Sequence, residues 1–248
     1  MARPGDLIRE AAAQELHPPY PAFQDAEVAL LEVLLRLLWQ EARSKEAVAK
    51  HGIAFDTAKE EEISFAIALT LELVQSTDSP MVSEFLEVFS IAPPEPKLDN
   101  FNRSSISKKC DFFFGRLHHQ RGTRPNQNGM FVEAKLVSPK HPMGYYVSTG
   151  LQRFLNGDYA WAMPQAMLLG YCRATSQVLP DSLADHFARE SGRKAQELAV
   201  IKGPTAFAKS RVKPRMHWSS HRRPQTLPSS GNPLGDICVY HLWLDIHA

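Results

Sequence analysis

Asp111, Glu133 and Lys135 are the residues of this chain whose types and spacing most directly suggest chemistry. They belong to CDFFFGRLHHQRGTRPNQNGMFVEAKLV, residues 110–137, two apolar stretches joined by a basic, turn-rich loop. Strands this hydrophobic are expected inside a fold, where an isolated charge is costly to bury. Side chains alternate along a strand, so Glu133 and Lys135 point one way and Val132, Ala134 and Leu136 the other. A hairpin across the loop brings Asp111 beside Glu133. Two crowded carboxylates repel unless a cation lies between them or a proton is shared. A hard divalent cation such as Mg²⁺, with Mn²⁺ as a substitute, takes oxygen ligands and keeps several waters beside one or two carboxylates. The backbone carbonyl of Ala134 is a further oxygen in reach. Lys135 then stands where it can orient or deprotonate a metal-bound water and offset charge on a phosphate.

Apolar positions recurring at three and four (Val28, Leu31, Val33, Leu35, Leu38) predict a buried helix over 25–48. Asp56 or Thr57 caps a second helix that Pro80 stops, and a short helix follows over 81–90. IAPPEPKLDNFN reads as a proline-stiffened linker, which divides a helical part, 1–100, from an α/β core, 101–248, within one compact domain. Strands are expected at 110–117 and 129–137, a helix at 146–163, a buried strand at 166–172 and an amphipathic helix at 181–199. RVKPRMHWSS and DICVYHLWLDI supply two more strands. The order gives a mixed α/β domain with a helical N-terminal part.

The 248 residues hold 28 Lys and Arg against 27 Asp and Glu, yet the charges are segregated. Residues 1–100 carry 18 acids and 8 bases, and residues 101–248 carry 9 acids and 20 bases. Either two faces of one domain differ, or the second half meets a polyanion such as DNA through Lys and Arg. The three scattered cysteines give neither a zinc spacing nor a disulfide frame, and a reducing cytoplasm is the natural setting. No apolar run reaches the length of a membrane span, so no membrane contact is expected.

Asp111 and the Glu133-Ala134-Lys135 triplet, about twenty residues apart on adjacent apolar strands, resemble the PD-(D/E)xK nuclease superfamily. Cys110 stands where the motif's proline is usually written. The resemblance implies a restriction-endonuclease-like mixed sheet flanked by helices, a contributing glutamate on an upstream helix, and a helix then a strand after the hairpin. On the upstream helix Ile63, Ile67, Leu71 and Val74 define the inner face. At roughly 100° per residue Glu60 falls about 40° from its centre, while Glu61 and Glu62 fall on the solvent side. Thr57-x-x-Glu60 also makes a capping box, an alternative use for the same carboxylate. Gln152, Arg153 and Tyr159 are candidates for one end of the following helix, with Arg153 either meeting the scissile phosphate or lying on the surface.

Competing patterns are weaker. GPTAFAKS approaches a phosphate-binding loop, but Ala208 replaces the glycine that must curl around phosphate. His217, His221, His241 and His247 lack a zinc spacing and suit surface or phosphate-contacting positions better. Arg121 and Arg124 in the hairpin loop, and Lys213, Arg215, Arg222 and Arg223 near the end, are candidate DNA-backbone contacts, with Trp218 able to stack on a base. E-x-K by itself also arises from a plain salt bridge on an edge strand. The expectation is a metal-dependent endonuclease that hydrolyses DNA, similar to nucleases of bacterial genome-defence loci and acting with other subunits. Dimerisation would supply two sites for two strands. The alternatives are a non-catalytic nuclease-like subunit that binds DNA or assembles a complex, and a structure-selective repair nuclease.

Overall fold

A computed structural model describes residues 18–76, 79–91, 97–98, 100–102, 104, 108–118, 123–173, 178–228 and 230–247. Its centre is a seven-stranded mixed sheet in the order β1-β4-β5-β6-β9-β8-β7. These strands are β1 (Phe89–Ile91), β4 (Phe112–Arg116), β5 (Gly129–Val137), β6 (Gln165–Cys172), β7 (Val200–Ala206), β8 (His217–His221) and β9 (Ile237–Asp245), while β2 (Lys97–Leu98) and β3 (Lys108–Lys109) form a separate pair. β5, β6 and β9 run parallel, and the outer pairs β1/β4, β4/β5, β9/β8 and β8/β7 are antiparallel. Every residue of β5 and β6 is buried, as expected of central parallel strands covered on both faces. That coverage explains why GMFVEAKLV and QAMLLGYC read as nearly unbroken apolar runs. Gly170 is required where β6 meets β9, because a Cβ there would lie 2.5 Å from Trp243.

The helices are α1 (Asp25–Ala42), α2 (Lys45–His51), α3 (Glu60–Gln75), α4 (Pro80–Val88), α5 (Met143–Tyr146), α6 (Gln152–Leu155), α7 (Leu179–Arg189) and α8 (Gly192–Leu198), with a π-turn at Val147–Leu151 between α5 and α6. The helix expected over 25–48 is two, because the Ser44 side chain accepts from Ala47 N–H and caps a new start. Likewise 181–199 divides before Ser191, which opens α8. The expected helix 146–163 ends at Leu155, and the chain turns through Gly157 at φ 70° and Ala160 at φ 55°. β1 and β7 were not expected. β1 lies directly before the proline-rich segment and pairs with β4, while half-exposed β7 lacks the alternation that marks a strand.

Contacts from β6 and the residue after it fix α3, with α1 beside it, against the sheet. Tyr171 of β6 hydrogen-bonds Ser64 at 3.0 Å and stacks on Trp39 of α1 at 5.6 Å between centroids. Arg173, just after β6, donates through Nη2 to the carbonyls of Phe55 and Ala58. Those carbonyls lie immediately before α3, so the arginine sets where the helix begins and where Glu60 points.

Candidate active site

The site forms where β4 leaves β5. Their paired register ends at Phe112↔Val132. Beyond it, the β5 backbone groups that would have met a partner strand are taken by side chains. Asp111 Oδ2 accepts the Ala134 N–H at 2.7 Å, and Glu60 Oε2 accepts the Leu136 N–H at 2.8 Å. The Ala134 carbonyl, on the same side, accepts from Lys135 Nζ at 2.6 Å. Two carboxylates and an ammonium thus finish the ladder, which satisfies backbone groups that are costly to leave bare.

Side chains reach this point from both faces of the sheet. Leu136 is in register with Tyr171, whose hydroxyl meets α3, so α3 covers the Ala134–Leu136 face. Glu133 and Lys135 face the π-turn and α6, where Gly150 allows the backbone to approach the lysine stem. A Cβ at Gly150 would lie 3.0 Å from Lys135 Cγ and 2.8 Å from Leu168 Cδ1. Such π-turns often mark functional sites. Glu60 comes round the free edge to meet Lys135.

Lys135 Nζ is 2.7 Å from Glu60 Oε1 and 2.7 Å from Glu133 Oε1. Glu133, only 1% exposed, also takes Arg153 Nη1 at 2.8 Å on Oε1 and the Tyr159 hydroxyl on Oε2. Arg153 Nη1 further meets the Tyr159 hydroxyl at 2.8 Å. Burial pushes the Asp111 carboxyl up to about 7, helped by the nearby Glu133 charge and opposed by Lys135. Burial likewise raises Glu133, against the pull of Lys135 and Arg153. Burial alone would lower the Lys135 pKa, but Glu133, Glu60 and Asp111 outweigh it and raise the ammonium above its ordinary value. Among the described residues no Lys, Arg or His lies within salt-bridge distance of Asp111.

Glu60, Asp111, Glu133, Ala134, Lys135 and Arg153 are therefore brought together, Glu60 across 75 residues of sequence from Lys135. At the start of α3 the Glu62 side chain accepts the Lys59 N–H at 2.6 Å, so the expected Thr57–Glu60 capping box does not form and Glu60 faces the strand. Gln152 donates to Asn156 Oδ1 at 2.9 Å instead of entering the cluster. The Arg124 backbone N–H donates to the Tyr20 hydroxyl at 3.2 Å, and Arg121 lies outside the described residues. Lys213, Arg215 and Arg222 are exposed, but they flank β8, three strand spacings or about 14 Å from β5 across the sheet.

Arg223 corrects the expected surface patch. It is 2% exposed and donates to the carbonyls of Ala160, Met163, Leu234 and Gly235 at 2.9–3.0 Å, so no phosphate can reach it. Burial lowers its pKa to about 10, with Asp236 opposing. By holding Ala160, it pins the turn that delivers Tyr159 to Glu133. Two of the histidines also differ from expectation, whereas His247 is exposed and His217 half-buried. His221 and His241 are 0% exposed and share Ser219 Oγ at 2.7 and 2.8 Å, so they belong to the core.

Tyr159, expected at one end of the helix flanking the site, reaches Glu133 from the turn after α6, whereas Arg173 as the anchor of α3 has no local sequence signal. Their partners are distant backbone and side-chain groups that only the fold assembles.

Among the described residues no three His, Cys, Asp or Glu side chains are gathered at metal-holding spacing. Glu60, Glu133 and the Ala134 carbonyl instead hold the lysine ammonium, and Asp111 caps the neighbouring Ala134 N–H. The donor set, hard carboxylate and carbonyl oxygens with no cationic side chain among the described residues in contact with Asp111, fits a hard divalent cation. Fold and site together define an α/β protein whose seven-stranded mixed sheet carries a buried acid–lysine–arginine cluster at a strand divergence. No family model, curated protein or solved structure matches the chain. Among the described residues no helix is long and apolar enough to cross a membrane.

Proposed function

We propose that this chain is a metal-dependent endonuclease of restriction-endonuclease-like fold that hydrolyses DNA phosphodiester bonds in defence against phage or foreign DNA. One observation supports the proposal: Glu60, from a helix far upstream, meets Lys135 and the Leu136 N–H of β5, beside Glu133 on the same ammonium and Asp111 on the Ala134 N–H, where β4 leaves the buried strand. A purely structural salt bridge on an edge strand does not account for three acids converging on a central, fully buried strand.

Asp111, Glu133, Glu60 and the Ala134 carbonyl are the groups that would hold the cation. A bound Mg²⁺ supplies Lewis-acid stabilisation of charge on the phosphate and lowers the pKa of water. Lys135 orients the attacking water and offsets charge on the phosphoryl oxygens. Arg153, with its side chain 42% exposed, is the cation of the cluster that faces solvent and is placed to receive the DNA backbone. Its Nη1 contact with Glu133 couples backbone binding to the carboxylate. Water oxygen bonds to phosphorus, the P–O ester bond breaks, and a proton passes to the leaving oxygen. The exposed Lys213, Arg215 and Arg222 extend the basic surface, so affinity falls steeply with salt.

A second reading, a non-catalytic nuclease-like subunit that binds DNA or assembles a complex, draws on a different observation. Glu133 is already satisfied by Lys135, Arg153 and Tyr159, as a structural carboxylate would be. Incubation of purified protein with supercoiled, linear and single-stranded DNA and Mg²⁺, beside Lys135→Ala, separates the two. Cutting by the wild type alone supports the nuclease. Absence of cutting on all three substrates supports the binding subunit.

A further inference from the structure

We propose that Lys135 is a built-in occupant of the cation position, so that the lysine ammonium itself limits divalent-cation binding. The inference rests on the metal-dependent reading above and concerns what controls it.

The geometry is that of a coordinated cation. Lys135 Nζ has three N–H donors and three oxygen partners. These are Glu60 Oε1 at 2.7 Å, Glu133 Oε1 at 2.7 Å and the Ala134 carbonyl at 2.6 Å. Three of the oxygens assigned to a metal are thus already committed to one ammonium. The side chain is 5% exposed, and its stem is confined by the backbone at Gly150, where even a Cβ would approach Cγ to 3.0 Å. An entering cation therefore competes with a bound, well-directed positive charge instead of filling a waiting cage. Ammonium and metal cannot share these oxygens at contact distance, because two positive charges so close repel strongly in a poorly hydrated site.

The charge count points the same way. Glu133 and Glu60 face the two positive charges of Lys135 and Arg153, and Asp111 adds a further negative charge when ionised. Removing the lysine charge leaves a surplus that a divalent cation neutralises. Lys135 thus serves two purposes: it keeps the acids together without metal, and it raises the concentration of metal needed to fill the site.

Mn²⁺ binding to wild type, Lys135→Met and Lys135→Met/Glu60→Gln, followed by the electron paramagnetic resonance signal of free Mn²⁺, tests this without any nuclease assay. Lys135→Met is expected to bind Mn²⁺ at least about tenfold more tightly than wild type. Adding Glu60→Gln is expected to reverse most of that gain. Equal or weaker binding by Lys135→Met, with binding to wild type measurable, overturns the inference and leaves the metal-dependent reading standing. Absence of Mn²⁺ binding in both proteins overturns the two together. A Lys135→Met chain that folds only when Mn²⁺ is supplied supports the inference, and one unfolded even in millimolar Mn²⁺ overturns it.

Discussion

Replacing Glu60 with glutamine isolates the longest-range contact of the cluster, because it keeps the shape and removes the charge. The native carboxylate makes two bonds, to Lys135 Nζ at 2.7 Å and to the Leu136 N–H at 2.8 Å. Glutamine has one oxygen for two donors, so its amide N–H₂ must face one of them. The loss is one charge-assisted hydrogen bond, about 1.5–3 kcal/mol. The Glu60 side chain is 22% exposed and partly screened by water, which favours the lower part of that range, about 1.5–2 kcal/mol. For a domain of this size that corresponds to a fall in melting temperature of roughly 3–8 °C. Glu61→Gln is the control. Glu61 is exposed one position along the same helix, and its replacement should change stability by less than about 0.5 kcal/mol. Thermal unfolding followed by circular dichroism at neutral pH reads both. In a double-mutant cycle with Lys135→Met, the Glu60→Gln penalty should shrink because its partner is gone. If Glu60→Gln melts with Glu61→Gln, or the cycle shows no coupling, the geometry argued for α3 and β5 is refuted.

Three further outcomes follow from the same contacts. Arg223→Leu strands four buried carbonyls and should cost at least about 3 kcal/mol, read by urea unfolding, whereas exposed Arg222→Ala should weaken DNA binding with little change in stability. His221 is held neutral at about 4 by burial, packed against the Phe187 ring, with Nδ1 bonded to the Leu198 carbonyl. The unfolded chain protonates near 6.5 and the folded one only near 4, so stability falls as pH drops through that window, by up to about 3 kcal/mol. Because the raised Asp111 carboxyl works in the opposite direction over the same range, the comparison is with His221→Gln, and a pH slope unchanged by that substitution contradicts this. Gly150→Ala places a methyl against Lys135 Cγ and Leu168, and should lower the melting temperature and reduce DNA cleavage together; an unchanged rate would show that the lysine stem is not confined.

The strands that build the site were legible because their physics is local. Gly129–Val137 and Phe112–Arg116 announce themselves as apolar runs around a turn-rich loop, and helical periodicity separates inward-turned Glu60 from Glu61 and Glu62. The breaks in the helices were not legible. Ser44 and Ser191 compete with periodic patterns that continue past them, and the turn at Gly157–Ala160 depends on Arg223, 60 residues and more away. Basic residues misled for the same reason. Arg222 and Arg223 are adjacent and chemically alike, yet one is exposed and the other buried under four carbonyls, a difference that arises only when β8 and the turn before β6 pack together. Buried histidines in β8 and β9 were read as surface groups because their partner, Ser219, is itself unremarkable in sequence.

The central claim is that this cluster performs hydrolysis and does not merely hold the fold. Initial rates of DNA cleavage in Mg²⁺ for wild type, Asp111→Asn and Glu133→Gln, each shown by circular dichroism to be folded, test it most directly. The account predicts metal-dependent cutting by wild type that a chelator abolishes, and a loss of at least about a hundredfold in either variant. Folded variants that cut at the wild-type rate, or a wild type that cuts no DNA in any metal, would contradict it.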